Sequence, residues 1–206
     1  MTNSKHFHVN RLINRQGITL GIFALVVAIV LTLTQQATKN TIAANESAQH
    51  QKALTEVLGT YTDDHQLQET PLVLFDENTN RLRQCYLVNS NGQTVAVVIT
   101  ATAKDGYSGS IDMLVGINMD GVVTGVRVTG HTETPGLGDA IEIQKSEWIK
   151  SFDGKSLSAP ADSKWTVRKH GGEFDQFTGA TITPRAVVNE VKNTLQFFHT
   201  ARANLF

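Results

Sequence analysis

The chain has 206 residues and a formal net charge of −1, with 18 basic and 19 acidic side chains. That length suits one domain of ordinary size with an appendage, and the near-balanced charge leaves no basic footprint for nucleic acid. A single cysteine, Cys85, excludes an intramolecular disulfide and a Cys-x-x-Cys pair, so any redox chemistry has to come from a bound cofactor.

Residues 17–34, GITLGIFALVVAIVLTLT, run without a charge. At the helical rise they span about 27 Å, close to the hydrocarbon thickness of a bilayer. Lys5, Arg11 and Arg15 precede the run, no acid appears before Glu46, and only Lys39 follows soon after. The asymmetry points to a cytoplasmic N-terminus over 1–16, a transmembrane helix over 17–34 and the remaining chain outside. A cleaved signal peptide is the rival reading, with Ala37 and 41–44 as a mimic of a cleavage region. Its apolar core is normally shorter, about 7–15 residues, and here the run continues into an extended helical pattern. A soluble core helix this apolar on every side would need a very large core.

Residues 35–70 are expected to be a helical stalk and linker, the helix ending at Gly59. The polar stretch 60–81 reads as loop. Residues 71–206 then form the extracytoplasmic domain. QCYLV, the Asn-Gly of NSNG and TVAVVITATA predict a β-hairpin, since Asn-Gly supplies positive φ for a tight turn. Cys85 falls in the first strand and reads as a buried core residue. IDMLVGI, NMDG and VVTGVRVT predict a second hairpin. Residues 131–139, HTETPGLGD, are rich in turn formers. A short helix is expected over 140–152, a short strand over 164–169 and a loop over 170–180.

The last helix is well marked. Thr183 is its expected N-cap and Pro184 its first residue, where a missing N–H costs nothing. Val187, Val188, Val191, Leu195 and Phe198 then form an amphipathic stripe. Strands in the middle and helices at both ends predict an α+β fold: a mostly antiparallel sheet with flanking helices, preceded by one N-terminal transmembrane helix.

Small and hydroxylated residues gather before that helix in DQFTGAT, Asp175–Thr181. A helix N-terminus offers unpaired N–H groups and partial positive charge, which favour an anion such as phosphate. Gly179 and Ala180 leave room for a ligand to approach the backbone, and Thr178, Thr181 and Thr183 supply oxygens. On local grounds alone, a simple capped turn with nothing bound is the favoured account of the stretch.

DQFTGAT resembles the acceptor motif of the FMN-binding domain family, in which a threonine carries FMN through a phosphodiester. DGYSGSIDMLVGI (105–117), HTETPGLGD (131–139) and the N-terminal anchor add to the resemblance, in family order. Within that family the pattern is similar to flavin subunits of ion-translocating electron-transport complexes, the Rnf type before the sodium-pumping NADH:quinone reductase type. The resemblance implies covalent FMN on Thr181, with Asp175, Thr178, Gly179 and Ala180 recognised by a flavin transferase. Thr183 is the competing acceptor. Glu133, Thr134, Pro135, Gly136, Leu137 and Gly138 are implied near the isoalloxazine, and Tyr107 and Ser108, between Gly106 and Gly109, at a backbone approach to it. The implied partners are other membrane and redox subunits, and the implied role is electron relay rather than independent catalysis.

No Ser-His-Asp set, P-loop or G-x-G-x-x-G suggests separate substrate chemistry, so no catalytic residue is named. His131, Glu133 and Asp139 match no strong metal-ligand spacing. Arg185, Lys169 and His170 are candidates for stabilising a reduced flavin, against solvated surface charge as the simpler account. A membrane-anchored domain holding a small anionic ligand reversibly, and a structural subunit whose loop only caps a helix, are the readings from other classes.

Overall fold

The computed structural model describes residues 3–59, 66–68 and 70–205. Two units emerge, Met1–Ala48 and Gln49–Phe206. Helix α1, Asn3–Leu58, supplies the first unit and the opening turns of the second. Within it, Arg15–Lys39 is long and apolar enough to cross a membrane.

Among the described residues, the second unit is built on six antiparallel strands: β1 (Gln66–Leu67), β2 (Leu72–Asp76), β3 (Arg81–Ser90), β4 (Gln93–Ala103), β5 (Ile111–Asn118) and β6 (Val123–Gly130). Their order is β1-β3-β4-β5-β6, and β2 shares the outer edge of β3 with β1. Both expected hairpins are present. Asn91 and Gly92 join β3 to β4 with φ of 51° and 78°, the left-handed pair that a two-residue turn needs. Between β5 and β6, the Asn118 carboxamide accepts from the N–H groups of Asp120 and Val122.

The sheet is covered on both faces, which explains the nearly continuous burial of β4. On one face Val97, Ile99, Met113, Val115 and Ile117 pack against helix α2, Ile182–Leu205. The predicted stripe Val187, Val188, Val191, Leu195 and Phe198 is wholly buried there. On the other face Leu54, Val57 and Leu58 from the end of α1 cover Val88, Ala96, Val98 and Leu114. The Thr124 hydroxyl donates to the Val57 carbonyl at 2.7 Å and seals the end of that helix to β6. This is the α+β architecture expected from the sequence. Cys85 is fully buried on β3, and burial pushes its thiol up to about 12, against the pull of Arg83.

Three local expectations fail. The stretch 60–81, read as loop, contains β1 and β2; residues 60–65 and 69 lie outside the described residues. The helix expected over 140–152 is two 3-10 segments, Gly138–Ile141 and Glu147–Phe152. Ser146 separates them: its hydroxyl accepts from the Trp148 N–H and donates to the Ala140 carbonyl, a local bond that competes with helix. The strand expected over 164–169 is reduced to one bridge, Val167 to Phe174, between 3-10 turns at Asp162–Lys164 and Arg168–His170.

Candidate functional site

Two separate loops and the first turn of α2 meet at the carboxylate of Glu133, which is 4% exposed. Its Oε1 accepts from the Ser108 N–H at 2.9 Å. Its Oε2 accepts from the Thr183 hydroxyl at 2.5 Å. The Glu133 N–H donates to His131 Nδ1, whose Nε2 faces Glu142 at 2.9 Å. Accepting at Nδ1 leaves the neutral imidazole its proton on Nε2, where it serves Glu142. Thr132 adds a bond to the Ser108 carbonyl. Loop 105–110, loop 131–138 and the first turn of α2 are thus clasped by one side chain.

The 131–138 loop is shaped by a turn on Pro135 and Gly136. The Leu137 N–H donates to the Thr134 carbonyl at 3.1 Å, and Asp139 Oδ1 accepts from the Gly136 N–H at 2.8 Å. Gly138 sits where a Cβ would come within 2.9 Å of the Glu133 side chain and 3.0 Å of the Thr183 hydroxyl. Any side chain there would push the clasp apart.

A second turn carries the motif. The Ala180 N–H donates to the Phe177 carbonyl at 3.2 Å, with Thr178 and Gly179 at the apex. Gly179 has φ +80°, a conformation that side chains adopt at a cost. The two turns face each other: a Cβ on Gly179 would lie 3.5 Å from Leu137 Cδ2. Leu137, Ile182 and Tyr107 are 45%, 39% and 69% exposed, so apolar side chains stand open around the motif.

Thr181 and Thr183 part company here. The Thr181 carbonyl accepts the first helical bond of α2, from Arg185 N–H, so Thr181 rather than Thr183 occupies the cap position. The expectation of Thr183 as N-cap is corrected: its hydroxyl is fully buried and committed to Glu133. The Thr181 side chain is half-buried, and its hydroxyl has no hydrogen-bond partner among the described residues. The N–H groups of Ile182 and Thr183 lie ahead of that first bond, in the turn where helices leave donors unpaired.

Of the other sequence candidates, Thr178 and Thr134 are exposed and Ala180 half-buried. Asp175 is exposed, its carboxylate 2.7 Å from Arg168. The Lys169 N–H donates to the Gln176 side chain, while Arg185 and His170 are exposed. His131, Glu133 and Asp139 each have protein partners of their own. Trp148 was not visible as part of this region from sequence. Its indole N–H donates to the Asp175 carbonyl at 2.8 Å and its ring lies 5.1 Å from Phe177. A tryptophan 27 residues upstream in sequence gives no local sign of that contact.

The family model for the FMN-binding domain matches residues 106–196, which take in Ser108, Glu133, Thr181 and Thr183. A second, for the RnfG N-terminal region, matches residues 1–57. The clasped loops are therefore those of an FMN-binding domain. The G subunit of the ion-translocating oxidoreductase complex of Photorhabdus laumondii is 48% identical over 193 residues, 93% of this chain and 92% of that protein. The proteins of the same description from Pseudomonas aeruginosa (strain PAO1) and Escherichia coli (strain K12) are 46% and 45% identical, each over at least 93% of this chain and 91% of their own length. The chain belongs to this family, the G subunits of ion-translocating oxidoreductase complexes.

Proposed function

We propose that the chain is a membrane-anchored electron-carrier subunit that holds FMN covalently on Thr181. The contrast between two neighbouring threonines carries this reading. Thr183 is buried and spent on Glu133, whereas Thr181 offers a free hydroxyl at a helix start. The residues present fit a phosphorylated flavin. The unpaired donors of the first turn favour the single negative charge of a phosphodiester by about 0.3–1 kcal/mol. Leu137, Tyr107 and Ile182 supply open apolar surface for the ring system.

Thr181 needs an activated donor, because joining its hydroxyl to a simple phosphate monoester would require expelling hydroxide. With a flavin nucleotide that carries the FMN phosphoryl in a phosphoanhydride, Thr181 Oγ1 forms the new O–P bond as the anhydride P–O bond breaks. The outgoing nucleotide phosphate leaves with the electron pair, and the hydroxyl proton passes to a base of the flavin transferase. Once held, FMN supplies the redox chemistry. The chain's own part is to retain it, shape its surroundings and exclude water with Leu137 and Tyr107.

The printed names of the relatives extend this to the other subunits of an ion-translocating oxidoreductase as partners, with electrons relayed among neighbouring centres. Arg15–Lys39 is read as the membrane span, with the N-terminus cytoplasmic and the FMN-binding domain on the opposite, periplasmic side. Covalent retention suits that side, where a dissociated flavin would be lost. The test is in-gel flavin fluorescence after denaturation, with the flavin transferase co-expressed. The parent chain is expected to fluoresce and Thr181→Ala to be dark; a Thr181→Ala band as bright as the parent overturns the assignment.

A further inference from the structure

The motif turn is exposed, yet the backbone leading into it is held from below. The Trp148 indole N–H donates to the Asp175 carbonyl at 2.8 Å. Its ring meets Phe177 edge-on at 5.1 Å and Phe152 at 5.4 Å. Phe152 is fully buried and lies 4.7 Å from the ring of Phe174. An unbroken aromatic column therefore runs from the core to the residue whose carbonyl closes the Thr178–Gly179 turn. Trp148 is itself fixed, through its backbone N–H, by the Ser146 hydroxyl at 3.0 Å. The other hold on Asp175, from Arg168, is an exposed pair at 60–64% side-chain exposure, and such pairs contribute little.

We propose that Trp148 is the positioning residue of the attachment loop: its indole N–H and ring fix Asp175–Phe177, so the Thr178–Gly179 turn and Thr181 are presented in one conformation to the transferase. This rests on Thr181 as the attachment residue. An unsupported loop would have to be ordered by the enzyme that modifies it, and that entropy would be drawn from binding. Trp148 removes that cost in advance. It touches neither the hydroxyl nor the phosphoryl donor, so its loss acts on recognition of the chain and not on the transfer step.

The experiment follows covalent flavin uptake by the full chain in detergent, with flavin transferase and flavin adenine dinucleotide as donor, against the concentration of flavin-free chain. Trp148→Phe keeps a ring and removes the N–H; Phe177→Leu keeps the N–H bond and removes the edge contact. Each is expected to raise KM for the chain by about tenfold with kcat unchanged, as loss of one well-formed contact implies. A merely structural role would shrink the competent fraction of this substrate and raise apparent KM as well, so it is told apart by exchange at β4 and β5, which a general loss of folding would speed together with the turn. Hydrogen exchange on the flavin-free chain gives a second readout that needs no transferase. The Ala180 N–H is expected to exchange about tenfold faster in both variants, with β4 and β5 amides unchanged. Unaltered KM, or Ala180 protection equal to the parent, overturns the proposal. If a Thr181→Ala control still takes up flavin, the attachment reading fails, while the exchange result still decides whether Trp148 orders the turn.

Discussion

Glu133 and Glu190 are both 4% exposed and both hold α2, but they are satisfied in different ways. Glu190 meets a cation: Arg83 Nη1 lies 3.0 Å from its Oε1, and Arg83 Nε lies 2.7 Å from Asp76 Oδ2. The same guanidinium reaches the Thr194 hydroxyl and stands 5.4 Å from the Phe197 ring. Glu133 meets only an N–H and a hydroxyl. The ionic cluster locks the middle of α2 to the β2–β3 edge. The Glu133 clasp joins two loops to the N-terminal turn of α2, beside Thr181. Rigidity in the body of the helix is charge-paired; at the site it is built from single hydrogen bonds, any of which can be removed without stranding a cation.

The widest separation between the two regions comes from Arg83→Met. It leaves Asp76 and Glu190 buried without their counter-ion, and a loss of about 3–5 kcal/mol is expected in urea denaturation. A loss under about 1 kcal/mol would mean the cluster is replaceable packing, as some buried ion pairs are. The same cluster sets an acid response. Burial works against the Asp76 charge, but the Thr79 hydroxyl, Arg83 and the Asn78 N–H outweigh it and hold its carboxyl below the ordinary aspartate value. The unfolded chain therefore takes up that proton at higher pH than the folded one. Its contribution is present above the unfolded aspartate pKa and lost as pH falls through the folded one. A denaturation series into acid is expected to show that decline in the parent and a flatter one in Arg83→Met.

At the clasp, Thr183→Val keeps the shape and leaves Glu133 Oε2 buried without a donor. A loss of about 1–3 kcal/mol is expected, with faster exchange at the Ser108 N–H. Gly179→Ala meets only ordinary contact with Leu137, so its cost is that of the left-handed backbone, about 1–2 kcal/mol. Thr181→Val closes the series. It removes a hydroxyl with no partner among the described residues, and the melting transition is expected to move by no more than the equivalent of about 0.5 kcal/mol. Equal losses for Thr181→Val and Thr183→Val would erase the distinction on which the acceptor assignment rests.

Much of the fold was legible because its signals are local. Asn91-Gly92 and Asp120-Gly121 marked both hairpins, and the Val187–Phe198 stripe marked the buried face of α2. β2 was hidden because Leu72–Phe75 is a short apolar run after Pro71, without alternation, and its pairing partner lies beyond the next turn. The 140–152 segment carries helical spacing, but Ser146 diverts its backbone. At the site, the motif and its approximate placement before α2 could be read. The division of labour between Thr181 and Thr183 could not. Both suit a helix start by residue type, and the choice was made by Glu133, 50 residues from Thr183 in sequence. Trp148 and Arg83 were missed for the same reason: their roles exist only across the fold.

The most direct test is peptide mapping of the chain matured together with its flavin transferase. The expected result is a peptide heavier by FMN less one water, with fragment ions that place the addition on Thr181. An unmodified Thr181 peptide, or the same mass on Thr178 or Thr183, would contradict it.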